Sequence, residues 1–215
     1  MSINVQNQTN EAFLFRKWGC RKVDRQGDRR VQRTRALLNE ALLDLLIEKG
    51  YEAVTIQDLI DRANIGRSTF YFHFADKEEL LKDNVDQLQV YLREQFAMRE
   101  SDTSIEDFRF GFSLALLQHV QSHKMIYRAT IGKQSGAQVL YHMRRMVTDL
   151  AREEIVGLVS SNNHAMIPQE VATEFTVNTL ITLISWWMEQ KKPCSAKEVD
   201  KMFHQLVLRG INNGN

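Results

Sequence analysis

The chain has 215 residues, of which 43% are hydrophobic and 26% charged, and its formal net charge is +1. These values describe an ordinary soluble globular protein, long enough for one large domain or a small and a larger one. The most apolar segment, Phe175 to Met188, is too short to span a membrane, and Cys20 and Cys194 form no metal-type or disulfide-type pattern, so a cytoplasmic protein with reduced thiols is expected.

Only Pro168 and Pro193 interrupt the chain and no strand-like alternation occurs, so the expected fold class is all-α. Residues 1–27 lack periodicity and interleave Arg16, Lys17, Arg21, Lys22 and Arg25 with Phe13, Phe15 and Trp18. This N-terminal basic extension reads either as a mobile tail or as an arm that lies along nucleic acid. The first 35 residues hold 9 Lys and Arg against 3 Asp and Glu, so the positive charge is gathered at one end of a near-neutral whole. From Arg29 to Lys49, Leu38, Ala41, Leu42, Leu45 and Leu46 make a helical stripe that Gly50 ends.

Two short helices in the spacing of a helix-turn-helix follow. Thr55 is a good N-cap, and Ile56, Leu59, Ile60 and Ala63 share one helical face. Asn64 stands where the chain leaves that helix, and Asn tolerates the left-handed backbone such a turn needs. A second helix is expected over Arg67 to Phe74, with Phe70 and Phe74 docking on the first helix. Its other face carries Arg67, Ser68, Thr69, Tyr71, Phe72 and His73, a set of donors and rings that a core does not select. Asp76 with Glu79 three residues on opens a further helix, and Lys77 sits beside its N-terminus.

The residues from Thr55 to Leu80 resemble the DNA-binding domain of the tetracycline-repressor (TetR) family of bacterial regulators. The likeness rests on the Thr55-to-Ala63 helix, the run T-F-Y-F-H-F from Thr69 and the run D-K-E-E-L from Asp76, all in register. It extends over roughly Arg29 to Leu81. Asn64 replaces the usual turn glycine and Gly66 the usual hydroxyl cap of the second helix.

The chemistry of these side chains points the same way without the resemblance. An α-helix fits the major groove, where the Arg67 guanidinium can make two parallel bonds to guanine, worth about 1–3 kcal/mol of base discrimination. Ser68 can bond either base type, and Tyr71 or Phe72 can pack on a thymine methyl. Thr55, Thr69, His73 and Lys77 suit phosphate oxygens, and Gln57 suits a base or a phosphate. The plainer readings are that Thr55 only caps its helix, His73 bonds nearby backbone and Phe72 packs against the head or the tail.

Beyond the head, helices are expected over Lys77 to about Met98, Ser104 to about His123, Lys124 to Gly132, Ala137 to about Ser160, a segment from Pro168 to Gln190, and Ser195 to near Gly210. The segment Val171 to Gln190 is apolar nearly all round and must be covered on more than one side, either within one subunit or by a second copy. In the second case it pairs through the last helix as well, by Met202, Phe203, Leu206 and Val207. The resemblance implies a homodimer joined through these last two helices as a four-helix bundle.

His119 and His123 stand four apart on one helix face, yet no third metal ligand is evident, so no metal site is assigned. Together with Tyr127, Tyr141, Met143, Met146, Trp186 and Trp187 they suit an apolar or flat ligand, or else a plain core. No nucleophile-base set and no phosphate-cradling glycine loop is present, so no enzyme activity and no cofactor is expected. The expected organisation is a basic extension over 1–27, a helix-turn-helix DNA-binding domain over 28–76, and a helical ligand-binding and dimerisation domain over 77–215. The expected function is a ligand-responsive repressor that binds a palindromic double-stranded DNA operator as a homodimer and is released by a small-molecule effector. An activator of the same family is the nearest alternative, and a helical small-molecule-binding protein without DNA binding the other.

Overall fold

The computed structural model describes residues 26–97, 109–131, 136–160, 167–191 and 194–212. Every regular element among them is an α-helix: α1 (Gln26–Lys49), α2 (Ile56–Ala63), α3 (Arg67–His73), α4 (Lys77–Ala97), α5 (Gly111–Ser122), α6 (Lys124–Ile131), α7 (Ala137–Ser160), α8 (Gln169–Glu189) and α9 (Ala196–Asn212). The basic run from Arg16 to Arg25 lies outside the described residues, as do the Ser104 cap and the 161–166 connection.

Local chemistry sets the helix ends. Gly50, at φ 74°, donates its N–H to the Leu46 carbonyl and stops α1, a backbone conformation that side chains with a Cβ resist. Thr55 and Asp58 form a reciprocal capping box at the start of α2. Asn64 takes the left-handed conformation at φ 51° and returns its N–H to the carbonyl of Asp61. At α4 the box is altered: Asp76 accepts from the Glu79 N–H at 2.8 Å, but the Glu79 carboxylate reaches past it to the Ala75 N–H. Ser195 and Glu198 repeat the reciprocal box at α9.

The helices α1, α2 and α3 form the head, and α4 to α9 the body, with a single apolar core running through both. In the head, Leu38, Leu42 and Leu46 of α1 meet Leu59 of α2, Phe70 of α3 and the cap residue Phe74, all buried. In the body, Leu116, Val120, Val177, Leu180, Trp187 and Phe203 are buried to the same degree. Gly136, just ahead of α7, passes so close to α6 that a Cβ there would lie 2.0 Å from the Thr130 carbonyl oxygen, so no other residue fits without moving backbone. Among the described residues no helix is long and apolar enough to cross a membrane.

Two expectations are corrected. The helix expected to run unbroken to His123 is not helical at Arg109 and Phe110. Phe110 is instead a buried anchor: its ring lies 5.4 Å from that of Phe203, its N–H donates to His204 Nε2 at 2.9 Å, and its carbonyl accepts from the Ser113 hydroxyl. Of the four α9 residues expected to face a second copy, Phe203 and Val207 are fully buried within the subunit, because they close the core over α5 and α8; only Met202 and Leu206 face outward.

Candidate nucleic-acid interface

The helix α3 turns one side to the core and the other to solvent. Phe70 is buried against α2, and its ring meets Phe74 at 6.3 Å and Tyr71 edge-on at 5.5 Å. With that side fixed, Arg67, Ser68, Tyr71 and Phe72 stand on the opposite face, Tyr71 50% and Phe72 77% exposed. Both rings therefore leave apolar area in water. Thr69 and His73 are half-buried at the margins of this face. Burial first, and the nearby Arg35 charge second, hold the His73 pKa below its ordinary value, so its imidazole is neutral at neutral pH.

The Arg67 side chain is held in place. Its Nη2 donates to Gln57 Oε1 at 3.0 Å, and Gln57 Nε2 donates to Asp61 Oδ1 at 2.8 Å. This relay links the start of α3 to α2 and orients the guanidinium beside Ser68. Thr55 spends its hydroxyl on the cap with Asp58. Lys77, expected at phosphate, has a different occupation: its ammonium donates to the carbonyls of Tyr51 at 3.1 Å and Val54 at 3.0 Å, lies within 3.4 Å of that of Glu52, and rests 4.5 Å from the Tyr51 ring centroid. These carbonyls belong to the α1–α2 turn, where that of Tyr51 also accepts the Val54 N–H at 3.1 Å, and the ammonium ties the turn to the start of α4.

A polar seam joins head and body. Arg35 of α1 pairs with Asp83 of α4 at 2.5 Å while its guanidinium lies 4.7 Å from the Phe74 ring centroid. Asp83 accepts from Gln87, Gln87 from Asn39, and Asn84 donates to Asn39 at 3.0 Å. Nothing in the local sequence marked Arg35, Asn39, Asp83 or Asn84, because the pairs are 45 to 48 residues apart.

Below this seam lies a cavity of about 60 Å³. Leu43 and Leu46 of α1 form its head side, and Leu81, Asn84, Val85 and Leu88 of α4 one wall. The remainder comes from His119 and His123, from Ile126, Tyr127 and Thr130 of α6, and from Val139 and Met143 of α7. Four of the eight residues singled out as ligand-lining therefore meet here: His119, His123, Tyr127 and Met143. The imidazoles of His119 and His123 are stacked at 4.2 Å, and Tyr127 stands edge-on to His119 at 5.8 Å. The other four are elsewhere. Met146 is buried outside the cavity lining, Tyr141 is 61% exposed, and Trp186 faces outward. Trp187 is buried in the core and donates its indole N–H to the Cys194 carbonyl at 2.8 Å. No group of three potential metal ligands occurs among the described residues.

Comparison with known proteins agrees with this architecture. Residues 38–83 match the family model of bacterial regulatory proteins of the tetR family, and residues 110–209 match a transcriptional-regulator C-terminal region. The HTH-type transcriptional regulator YxbF of Bacillus subtilis is 52% identical over 65 residues, which span 30% of this chain and 17% of that protein. The HTH-type transcriptional repressor KstR2 of Mycolicibacterium smegmatis is 23% identical over 180 residues, 78% of this chain and 85% of its own. The crystal structure of a TetR transcriptional regulator from Streptococcus agalactiae superposes with a TM-score of 0.62 at 23% identity, covering 84% of this chain and 97% of that one, and so shares the fold. With its three-helix head, the outward polar and aromatic face of α3 and two family matches that together span more than half its length, the chain belongs to the TetR family of DNA-binding transcriptional regulators, which are not enzymes.

Proposed function

We propose that this chain is a cytoplasmic repressor that binds a palindromic operator as a two-fold dimer, each subunit laying α3 in one of two successive major grooves. The observation that carries this reading is the outward set on α3: Arg67, Ser68, Tyr71 and Phe72 share one solvent face while Phe70 and Phe74 fix the other. Arg67, Tyr71 and Phe72 read bases, and Ser68, Thr69 and His73 complete the contact with bases and phosphates. Gln57 contributes by holding Arg67.

The dimer forms through α8 and α9. Val171, Phe175 and Trp186 are 56%, 44% and 42% exposed along one stripe of α8, and Met202 and Leu206 are exposed on α9. A second copy related by a two-fold axis offers the same apolar stripe and covers both. An effector that binds the body more tightly when the two heads are out of register with the grooves lowers DNA affinity by the ratio of its affinities for the two states. Repression, rather than activation, is favoured by relatives such as the transcriptional repressor KstR2.

The test is to select genomic fragments bound by the purified protein. A two-fold symmetric site is expected, with retention weakened strongly by Arg67→Ala and Tyr71→Ala. Unchanged retention by both variants refutes the assignment of the face.

A further inference from the structure

Most cations of the head already have partners within the protein. Arg35 pairs with Asp83 at 2.5 Å, Lys49 with Asp58 at 2.7 Å, and Arg62 with Glu48 at 2.7 Å and Asp44 at 3.4 Å. Arg67 donates to Gln57, and Lys77, at the start of α4, to the carbonyls of the α1–α2 turn. The others are Arg29, Arg30 and Arg33 of α1. All three are exposed, and their guanidinium groups meet no anion or hydrogen-bond acceptor among the described residues. At spacings of three and four they share one side of α1, which continues through the exposed Ala36 and Leu37 to Glu40, where the positive run ends. Like charges at these spacings repel one another and weaken the helix that carries them, an effect that an anion along the stripe relieves. The stripe also has a definite place. The Arg35 guanidinium lies 4.7 Å from the ring of Phe74, the residue that ends α3, and its charge reaches His73. So α1 passes the C-terminal end of α3 at Arg35, and the turns bearing the three arginines precede Leu38, the first α1 residue of the buried core.

We infer that Arg29, Arg30 and Arg33 form the phosphate grip of this chain, a stripe that lies along the sugar–phosphate backbone of duplex DNA beside the groove that α3 enters. This inference rests on the reading that α3 enters the major groove. A helix seated there has a phosphate backbone on either wall. Arg67 and Gln57 stand at the first end of α3, and the stripe follows from its other end. The cations of α2 and α4 beside the face are committed, Arg62 to carboxylates and Lys77 to carbonyls, so each must break a bond before it takes a phosphate. Arg29, Arg30 and Arg33 give up only water. In sequence the stripe continues the basic run of Arg16, Lys17, Arg21, Lys22 and Arg25. A guanidinium on a phosphate is blind to base identity, so the stripe sets affinity and its salt dependence, and discrimination among bases stays with α3.

The experiment measures binding of the full-length protein to a duplex carrying the selected site, and to the same duplex with the site scrambled, by fluorescence anisotropy at several salt concentrations. The test variant combines Arg29→Gln, Arg30→Gln and Arg33→Gln; glutamine is a good helix former and the positions are exposed, so helical content by circular dichroism should match the parent. The slope of log affinity against log salt is expected to become shallower by about 0.9 for each arginine removed per bound subunit. The ratio of affinities for the selected and scrambled duplexes should stay as in the parent, whereas Arg67→Ala should lower that ratio by about tenfold. A control that combines Lys191→Gln and Lys197→Gln, both exposed in the body, should leave the slope in place. An unchanged slope in the arginine variant, an equal change per charge in the lysine control, or a ratio that falls as far as in Arg67→Ala overturns the assignment. If the parent binds neither duplex even at low salt, the regulator reading fails and the stripe with it. If the parent binds and only the slope refuses to move, the stripe alone is refuted.

Discussion

Thr55 and Asp58 tie the first turn of α2 to itself, and Lys49 of α1 pairs with the same carboxylate at 2.7 Å. The hydrogen bond from Lys49, then those from Thr55, hold the Asp58 pKa well below the usual carboxylate range. A depressed carboxylate contributes stability that is present above the unfolded value, about 4, and is lost as the pH falls below it. Thr55→Ala is expected to lower stability by about 1 kcal/mol in thermal unfolding at neutral pH. The difference between Asp58→Asn and the parent should shrink as the pH drops below about 4; a difference that persists unchanged in acid refutes the cap's charge dependence. On the face proposed to read DNA, Gln57→Ala removes the acceptor that holds Arg67. Discrimination at the base read by Arg67 should weaken, within the ~1–3 kcal/mol that one bidentate contact supplies, while discrimination at other positions stays as it was; competition with operator variants measures it.

At the scale of elements, α5, α6 and α7 carry the histidine-lined wall of the cavity, and burial there has a pH signature. The folded state keeps His119 neutral through an acidity at which the unfolded chain takes up a proton. Below about pH 6.5 the unfolded state binds more protons, so stability falls as the pH drops from 7 toward 5. His119→Leu should flatten that part of the stability curve, as read from denaturant midpoints at several pH values, and an unaltered slope would show that another group is responsible. The helices themselves were legible in the sequence because caps and 3.6-residue periodicity act within a turn or two: Thr55, Asn64 and Ser195 each sit at the helix end expected of them. The break at Phe110 was not legible, since its cause is Phe203 and His204, more than ninety residues away.

At the scale of the whole molecule, the dimer proposed through the stripes left uncovered on α8 and α9 would tie oligomeric state to DNA binding. A charge placed in a buried two-fold interface meets its own copy and goes unpaired twice. Phe175→Glu is therefore expected to give a monomer by sedimentation equilibrium, with the helical content of a folded subunit retained. Its affinity for the full operator should fall toward that for a half-site. A variant that remains dimeric at working concentration would move the interface elsewhere on the surface.

The residue order by itself determined the helices, their caps, the helix-turn-helix and the family resemblance, because each depends on hydrogen bonds and side-chain spacing within a short stretch of chain. Tertiary packing decided which apolar residues turn inward. Phe203 and Val207 went to the core while Met202 and Leu206 stayed out, and Lys77 went to the α1–α2 turn. It also gathered His119, His123, Tyr127 and Met143 against Leu43 and Leu46 of the head while leaving Tyr141 and Trp186 at the surface. The physical reason is that periodicity gives the face of a helix but not its neighbour. Which helix covers that face depends on contacts between segments distant in sequence, and a cavity exists only where several such segments fail to fill the space between them.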